Sequence, residues 1–287
     1  MIRFRNYQKE DYQLLCDFLI TLNEKNKEHI NWNWARLEWM IAHPNFDKSI
    51  VNDIGLWFDE DRLVATAIFD MYHGEASALS LPNYEYLFEE VIDYAYQHLK
   101  DENGLGIAVN NINKEEIRKL ISHGFAISEQ KETIMRISLE KEYDPKLKEG
   151  FSFYNINPKK DIDDIEWVIY QGFDHGDDKE EFEKQRVPLE ERKHANPYLH
   201  LMIENKDKEK VAFCSMWYDK KTSYAYLEPL VVIPKYRKMG LGKSIVYALC
   251  NRCKELGAKE VFVISDQEFY KKIGFRVKKE YTFYWKK

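Results

Sequence analysis

Short runs of alternating apolar and polar residues fill most of the chain, and they recur in the same order twice. Residues 55–70 (GLWFDEDRLVATAIFD) and 198–219 (YLHLMIENKDKEKVAFCSMWYD) each read as two strands joined by a charged turn. Another strand pattern follows each pair, EASALSLP at 75–82 and SYAYLEPLVVIP at 223–234. Both end in a Pro-x-Tyr triplet, Pro82 to Tyr84 and Pro234 to Tyr236, before a helix pattern begins. Short aromatic strands (IRFRNY, FSFYNI) and acidic helix starts at Asp11 and Asp161 open the two halves, and Gly-Phe pairs at Gly124 and Gly274 come late in both. The repeat has a period of about 150 residues, far longer than a solenoid unit. Between the copies lies EKEYDPKLKEG (140–150), charged and carrying a proline and a glycine. The pattern therefore predicts two domains, 1–147 and 148–287.

Length agrees, since 287 residues exceed what one hydrophobic core usually organises. The 44% hydrophobic and 32% charged content is that of a globular protein, and no apolar run approaches the roughly 18 residues of a membrane span. The start, MIRFRNYQKEDY, lacks the apolar stretch of a signal peptide, and four cysteines are too few for a disulfide framework, so a cytoplasmic location is expected. A net charge of -6 argues against nucleic acid as a partner. None of the eight histidines has a metal-like partner at helical spacing, and no metal is assigned. Cys250 and Cys253 share a helical stripe with Val246, Leu249 and Leu256, which reads as core packing. Trp32, Arg36, Trp39 and Met40 likewise read as packing, and the acidic run 174–183 as a solvated face.

One segment carries chemistry. The apolar strand at 230–233 leads through Pro234 into RKMGLGK (237–243) and a helix pattern. Two glycines at a helix start let the backbone turn tightly and aim free N–H groups at an anion, with the helix dipole adding attraction. Arg237, Lys238 and Lys243 bring positive charge to the same place, as a pyrophosphate site requires. The GLGKS run also looks like the end of a P-loop, but the first glycine of that motif would fall at position 237, which is Arg.

These residues resemble the GNAT N-acetyltransferase family, whose signature is Gln/Arg-x-x-Gly-x-Gly/Ala after a strand; Arg237, Gly240 and Gly242 match it. FYKKIGF (269–275) is similar to a second signature, a Tyr four residues before Gly-Phe. The resemblance implies an α/β fold of two tandem domains, each a mixed, mostly antiparallel sheet flanked by helices. It implies acetyl-CoA as co-substrate and a small-molecule or peptide amine as acceptor, attacked directly in a ternary complex. Main-chain groups of Leu230, Val231 and Val232 are then expected on the pantetheine arm, and Arg237, Lys238, Met239, Gly240, Leu241, Gly242, Lys243 and Ser244 at the pyrophosphate.

For catalysis, a lysine-like amine with a pKa near 10.4 lies about three units from deprotonation at pH 7, which costs roughly 4 kcal/mol. A positioned base supplying about 10² to 10⁴ in rate offsets much of that. Several family members carry a Glu eleven residues before the signature, where this chain has Tyr226; Glu228, two residues on, shares its strand face and is the candidate base, with proton removal through water as the rival. Tyr270 matches the family's general acid.

In the first half, Glu85, Phe88 and Glu90 stand where Arg237, Gly240 and Gly242 lie, and Leu120 replaces Tyr270. That half reads as a degenerate copy, expected to serve acceptor recognition and not CoA binding. The alternative for the whole chain is a non-catalytic acyl-CoA-binding sensor or scaffold, and a third reading is an interaction protein using the aromatic-rich first half.

Overall fold

The computed structural model describes residues 1–25, 27–43, 45–157, 159–186 and 193–287. In chain order the elements are β1 (Ile2–Asn6), α1 (Tyr12–Lys25), α2 (Trp34–Ala42), β2 (Gly55–Asp59), β3 (Arg62–Phe69), β4 (Glu75–Ser80), α3 (Phe88–His98), β5 (Leu105–Asn110), α4 (Lys114–Ser122) and β6 (Ala126–Ser138). They continue with β7 (Phe151–Asn155), α5 (Ile162–Gly172), α6 (Lys179–Gln185), β8 (His200–Asn205), β9 (Lys210–Tyr218), β10 (Tyr224–Val232), α7 (Leu241–Leu256), β11 (Glu260–Ile264), α8 (Glu268–Lys272) and β12 (Arg276–Lys286). Two compact units form: residues 1–135 with 264–267 and 277–287, and residues 136–263 with 268–276.

In the first unit β1, β2, β3 and β4 pair antiparallel in sequence order, and β4 pairs parallel with β5 after the α3 crossover. The second unit repeats this order. Its strands β7, β8, β9 and β10 pair antiparallel, and β10 pairs parallel with β11 after the α7 crossover. The repeat read from the sequence is thus a repeat of topology, and each unit is a mixed, mostly antiparallel sheet with helices.

The first unit takes one more strand from far along the chain. β12 pairs antiparallel with β5 over six residues, from Tyr281 opposite Asn110 to Lys286 opposite Leu105. Thr282 Oγ1 donates to Asn111 Oδ1 at 2.7 Å, and the Tyr96 hydroxyl to the Lys287 carbonyl at 2.8 Å. The compact units therefore do not divide where the two sequence copies do. The 140–150 segment, read as the linker, instead lies along α7 within the second unit: Asn251 Oδ1 accepts from the Tyr143 N–H at 2.9 Å and its Nδ2 donates to the Tyr143 carbonyl at 2.8 Å.

Apolar spacing explains how α7 is held. Leu241, Ile245, Val246, Leu249, Cys250 and Cys253 are all buried against the sheet, each large aliphatic side chain contributing about 1.5–3 kcal/mol. Leu256, expected on the same stripe, is 40% exposed because it sits one residue before Gly257, whose left-handed φ of 109° ends the helix. Of the residues read as packing just before α2 and along it, Trp32 and Met40 are buried, Trp39 is half-buried, and the Arg36 guanidinium lies 5.0 Å from the Trp32 ring centroid. Among the described residues no helix is long and apolar enough to cross a membrane, and no three His, Cys, Asp or Glu side chains gather as a metal site would need.

Candidate active site

The site lies in the second unit and begins with a strand that leaves its neighbour. β10 pairs with β11 only from Tyr224 to Tyr226, opposite Glu260 to Phe262, while β10 itself runs on to Val232. On the side away from β9, no strand among the described residues pairs with the main chain of residues 227–232, which is what an extended, amide-bearing arm needs in order to add to a sheet. Leu230, Val231 and Val232 all fall in this stretch. The Val232 carbonyl also accepts from Arg237 Nε at 3.0 Å.

A bulge marks the divergence. Leu227 lies opposite Met216 and Leu230 opposite Cys214, so three steps on β10 match two on β9 and one residue is extra. Glu228 and Pro229 occupy the bulge, and the proline has no N–H for a ladder. The freed Glu228 carbonyl accepts from Trp217 Nε1 at 2.6 Å and from the Ser215 hydroxyl, both on β9. Its carboxylate accepts from the Tyr226 hydroxyl at 2.6 Å.

Beyond β10, Pro234–Tyr236 forms a single 3-10 turn, and the loop then reverses through left-handed residues at Lys238 (φ 62°) and Gly240 (φ 84°). At Gly240 that conformation favours glycine, and nothing lies within 4 Å of where a Cβ would stand, so a ligand can approach the backbone there. Among the described residues, the main-chain N–H groups of 238–243 donate to no other main-chain group. These amides stand at the start of a 16-residue helix, where an anion is favoured, with Lys238 and Lys243 exposed beside them.

Two residues expected at the pyrophosphate are engaged elsewhere. Arg237 holds the loop: besides the Val232 carbonyl, its NH2 group donates to the Gly172 carbonyl at 2.8 Å and to Asp174 Oδ2 at 3.0 Å. Ser244 is buried, its N–H bonded to the Gly240 carbonyl at 3.1 Å and its hydroxyl directed at the carbonyls of Lys146 and Gly240. Gly172, which the sequence did not single out, is required by contact. A Cβ there would stand 2.4 Å from the Val231 Cβ, so only glycine lets the end of α5 come close enough for its carbonyl to anchor Arg237.

Tyr270, on the short helix α8, is 7% exposed, its ring packed on Phe269 and Phe275 at centroid distances of 5.1 and 5.4 Å. Burial pushes its hydroxyl well above the ordinary tyrosine range, with the Cys214 thiol and the Glu228 carboxylate pressing it further in the same direction. The structure thus brings Tyr270 into electrostatic contact with Glu228.

Residues 159–275 match the family model described as the acetyltransferase (GNAT) family. The glucosamine 6-phosphate N-acetyltransferase of Trypanosoma brucei brucei is 39% identical over 54 residues, 18% of this chain; the match spans 37% of that protein, little more than a third of its length. Among solved structures, a GCN5-related N-acetyltransferase from Sphaerobacter thermophilus has a TM-score of 0.59 at 15% identity, covering 99% of this chain and 95% of the other. A tandem GNAT protein from the clavulanic acid biosynthesis pathway has a TM-score of 0.60 at 12% identity, covering 99% and 98%. At these identities the likeness is one of fold.

Proposed function

We propose, from the match of residues 159–275 to the acetyltransferase (GNAT) family model, that the second unit transfers an acetyl group from acetyl-CoA to the amine of an acceptor by direct attack in a ternary complex. The observation that carries the reading is the row of amides at residues 238–243, which among the described residues donate to no other main-chain group, with clear space at Gly240. The exposed Lys238 and Lys243 and the clear space at Gly240 favour a pyrophosphate there. The open edge of β10 at residues 227–232 suits the pantetheine arm, and it leads back to the bulge where Glu228 and Tyr270 interact.

In this mechanism acetyl-CoA supplies a thioester carbonyl as electrophile. Glu228, directly or through a water, takes the proton that the amine must lose. The nitrogen bonds to the carbonyl carbon, the carbon–sulfur bond breaks, and the Tyr270 hydroxyl donates to the departing sulfur. Because that hydroxyl is held above the ordinary tyrosine range, a hydrogen bond that strengthens as charge develops on sulfur contributes more than early proton transfer. Arg237 fixes the loop to α5.

The acceptor belongs to the broad class of small-molecule or peptide amines, and the short match to a glucosamine 6-phosphate N-acetyltransferase puts amino sugars in the first panel to be screened. The test incubates the protein with acetyl-CoA and a panel of amino sugars, polyamines, amino acids and peptides, following released thiol and the mass of each acceptor. Thiol release matched by an acetylated product supports the reading. Acetyl-CoA binding without thiol release on any amine would replace it with a sensor or scaffold.

A further inference from the structure

Side chains two apart on a regular strand stand roughly 7 Å from one another and seldom hydrogen-bond. Tyr226 and Glu228 do, at 2.6 Å, where a bulge between Leu227 and Leu230 breaks the regular strand. Tyr226 lies directly opposite Trp217 in the β9–β10 ladder, and these two side chains hold Glu228 at both ends. Trp217 Nε1 donates to its main-chain carbonyl at 2.6 Å, and the Tyr226 hydroxyl donates to its carboxylate. Both rings are 2% exposed, so neither donor can swing away without leaving the core. Ser215, fully buried, adds a second donor to the same carbonyl, and the His200 ring backs Trp217 at a centroid distance of 6.2 Å.

We propose that Tyr226 and Trp217 are positioning residues that fix the carboxylate of Glu228 toward the attacking amine, a proposal that rests on Glu228 being the base. Tyr226 thereby acts from the position at which several members of the family carry a carboxylate of their own. The chain keeps the function at that place on β10 by dividing it: one side chain supplies the proton acceptor and the other its aim. The groups on neighbouring elements that bear on Glu228 include Ser215 and Trp217 on β9 and the Tyr270 hydroxyl on α8. Donation from Tyr226 favours the ionised carboxylate, the form that accepts a proton.

The experiment uses the full chain and the best amine from the panel, with kcat, kcat/KM across pH and acetyl-CoA affinity measured for Tyr226→Phe, Glu228→Gln and the double variant. Tyr226→Phe keeps the ring in place, so unchanged acetyl-CoA affinity certifies the fold. Its kcat is expected to fall on the order of tenfold or more, with the acid limb of the kcat/KM profile moved to higher pH. Glu228→Gln is expected to fall further and lose that limb, and the double variant to be no slower than Glu228→Gln alone, because the hydroxyl then has no carboxylate to aim. An unmoved acid limb in Tyr226→Phe, or losses that simply add in the double variant, would overturn the positioning role while leaving Glu228 as base. Wild-type turnover and an intact acid limb in Glu228→Gln would overturn the base assignment and the positioning role together.

Discussion

The indole N–H of Trp57 donates to Glu90 Oε1 across 2.7 Å, tying β2 to the first turn of α3. In the second unit the corresponding helix start is the glycine loop. In the first, Glu89 and Glu90 place two carboxylates on that turn, Phe88 is buried beneath them, and Trp57 packs on Phe4 and Tyr94 at centroid distances of 4.8 and 5.5 Å. Negative charge at a helix start repels an anion. Calorimetric titration should therefore give one acetyl-CoA per chain, and Gly240→Glu should weaken binding on the order of 10²-fold or more, about 2.7 kcal/mol. Two equivalent sites would contradict this account of the first unit.

Tyr270→Phe preserves the packing on Phe269 and Phe275 and removes only the hydroxyl. The expected result is a kcat lower on the order of 10²-fold with acetyl-CoA affinity little changed. Since burial raises this hydroxyl, it stays protonated through about pH 10, and the parent rate should show no fall from it between about pH 8 and 10. A steady-state profile of both proteins checks the two statements together.

Arg237 and Asp174 form an ion pair whose side chains are 41% and 60% exposed, so the pair contributes about 0–1 kcal/mol. The hydrogen bonds to the Val232 and Gly172 carbonyls do the holding. Asp174→Asn is therefore expected to change acetyl-CoA affinity less than about fivefold, within that range. Arg237→Ala should cost about tenfold, or 1.4 kcal/mol, by freeing the loop. Equal effects from the two variants would shift the role of Arg237 from anchoring to charge.

Glu204 accepts from Lys208 Nζ at 2.8 Å and Lys210 Nζ at 2.7 Å, which push its carboxyl down to about 2. A carboxyl lowered in the folded state stabilises the fold above its unfolded value, about 4.3, and that stabilisation is lost as pH falls through about 2. Urea midpoints of the parent and Glu204→Gln should thus differ most near neutral pH and converge between about pH 4 and 2. A gap independent of pH would mean that the side chain stabilises by packing alone.

Local signals were legible in the sequence, and contacts made across it were not. Strand–turn–strand patterns, the Pro-x-Tyr turn and the left-handed Gly240 are each written within a few residues. The succession of strands β7 to β10 also follows from reading the two copies side by side. Pro229 inside the strand pattern is a local sign of a bulge, but the grip on Glu228 by Trp217 depends on which strand lies alongside, and that is not written locally. The anchoring of Arg237 is hidden from the sequence because nothing near it reveals that Gly172, 65 residues earlier, offers a carbonyl. The pairing of β12 with β5 was missed for the same reason: an alternating strand pattern fixes which face is buried and leaves the partner open.

That pairing also sets a timetable for synthesis. Lys286 must lie beside Leu105 for the first unit to close its sheet, so residues 1–135 leave the ribosome with the edge of β5 uncovered. At about 5–20 residues per second the missing strand arrives roughly 8–30 s later. During that interval the earlier-made unit is the one exposed to mispairing, while residues 136–263 can assemble most of their own sheet as they emerge. A premature stop a dozen codons before position 287 would consequently spare the glycine loop and leave the first unit with an unfinished sheet that chaperones and proteases would find first.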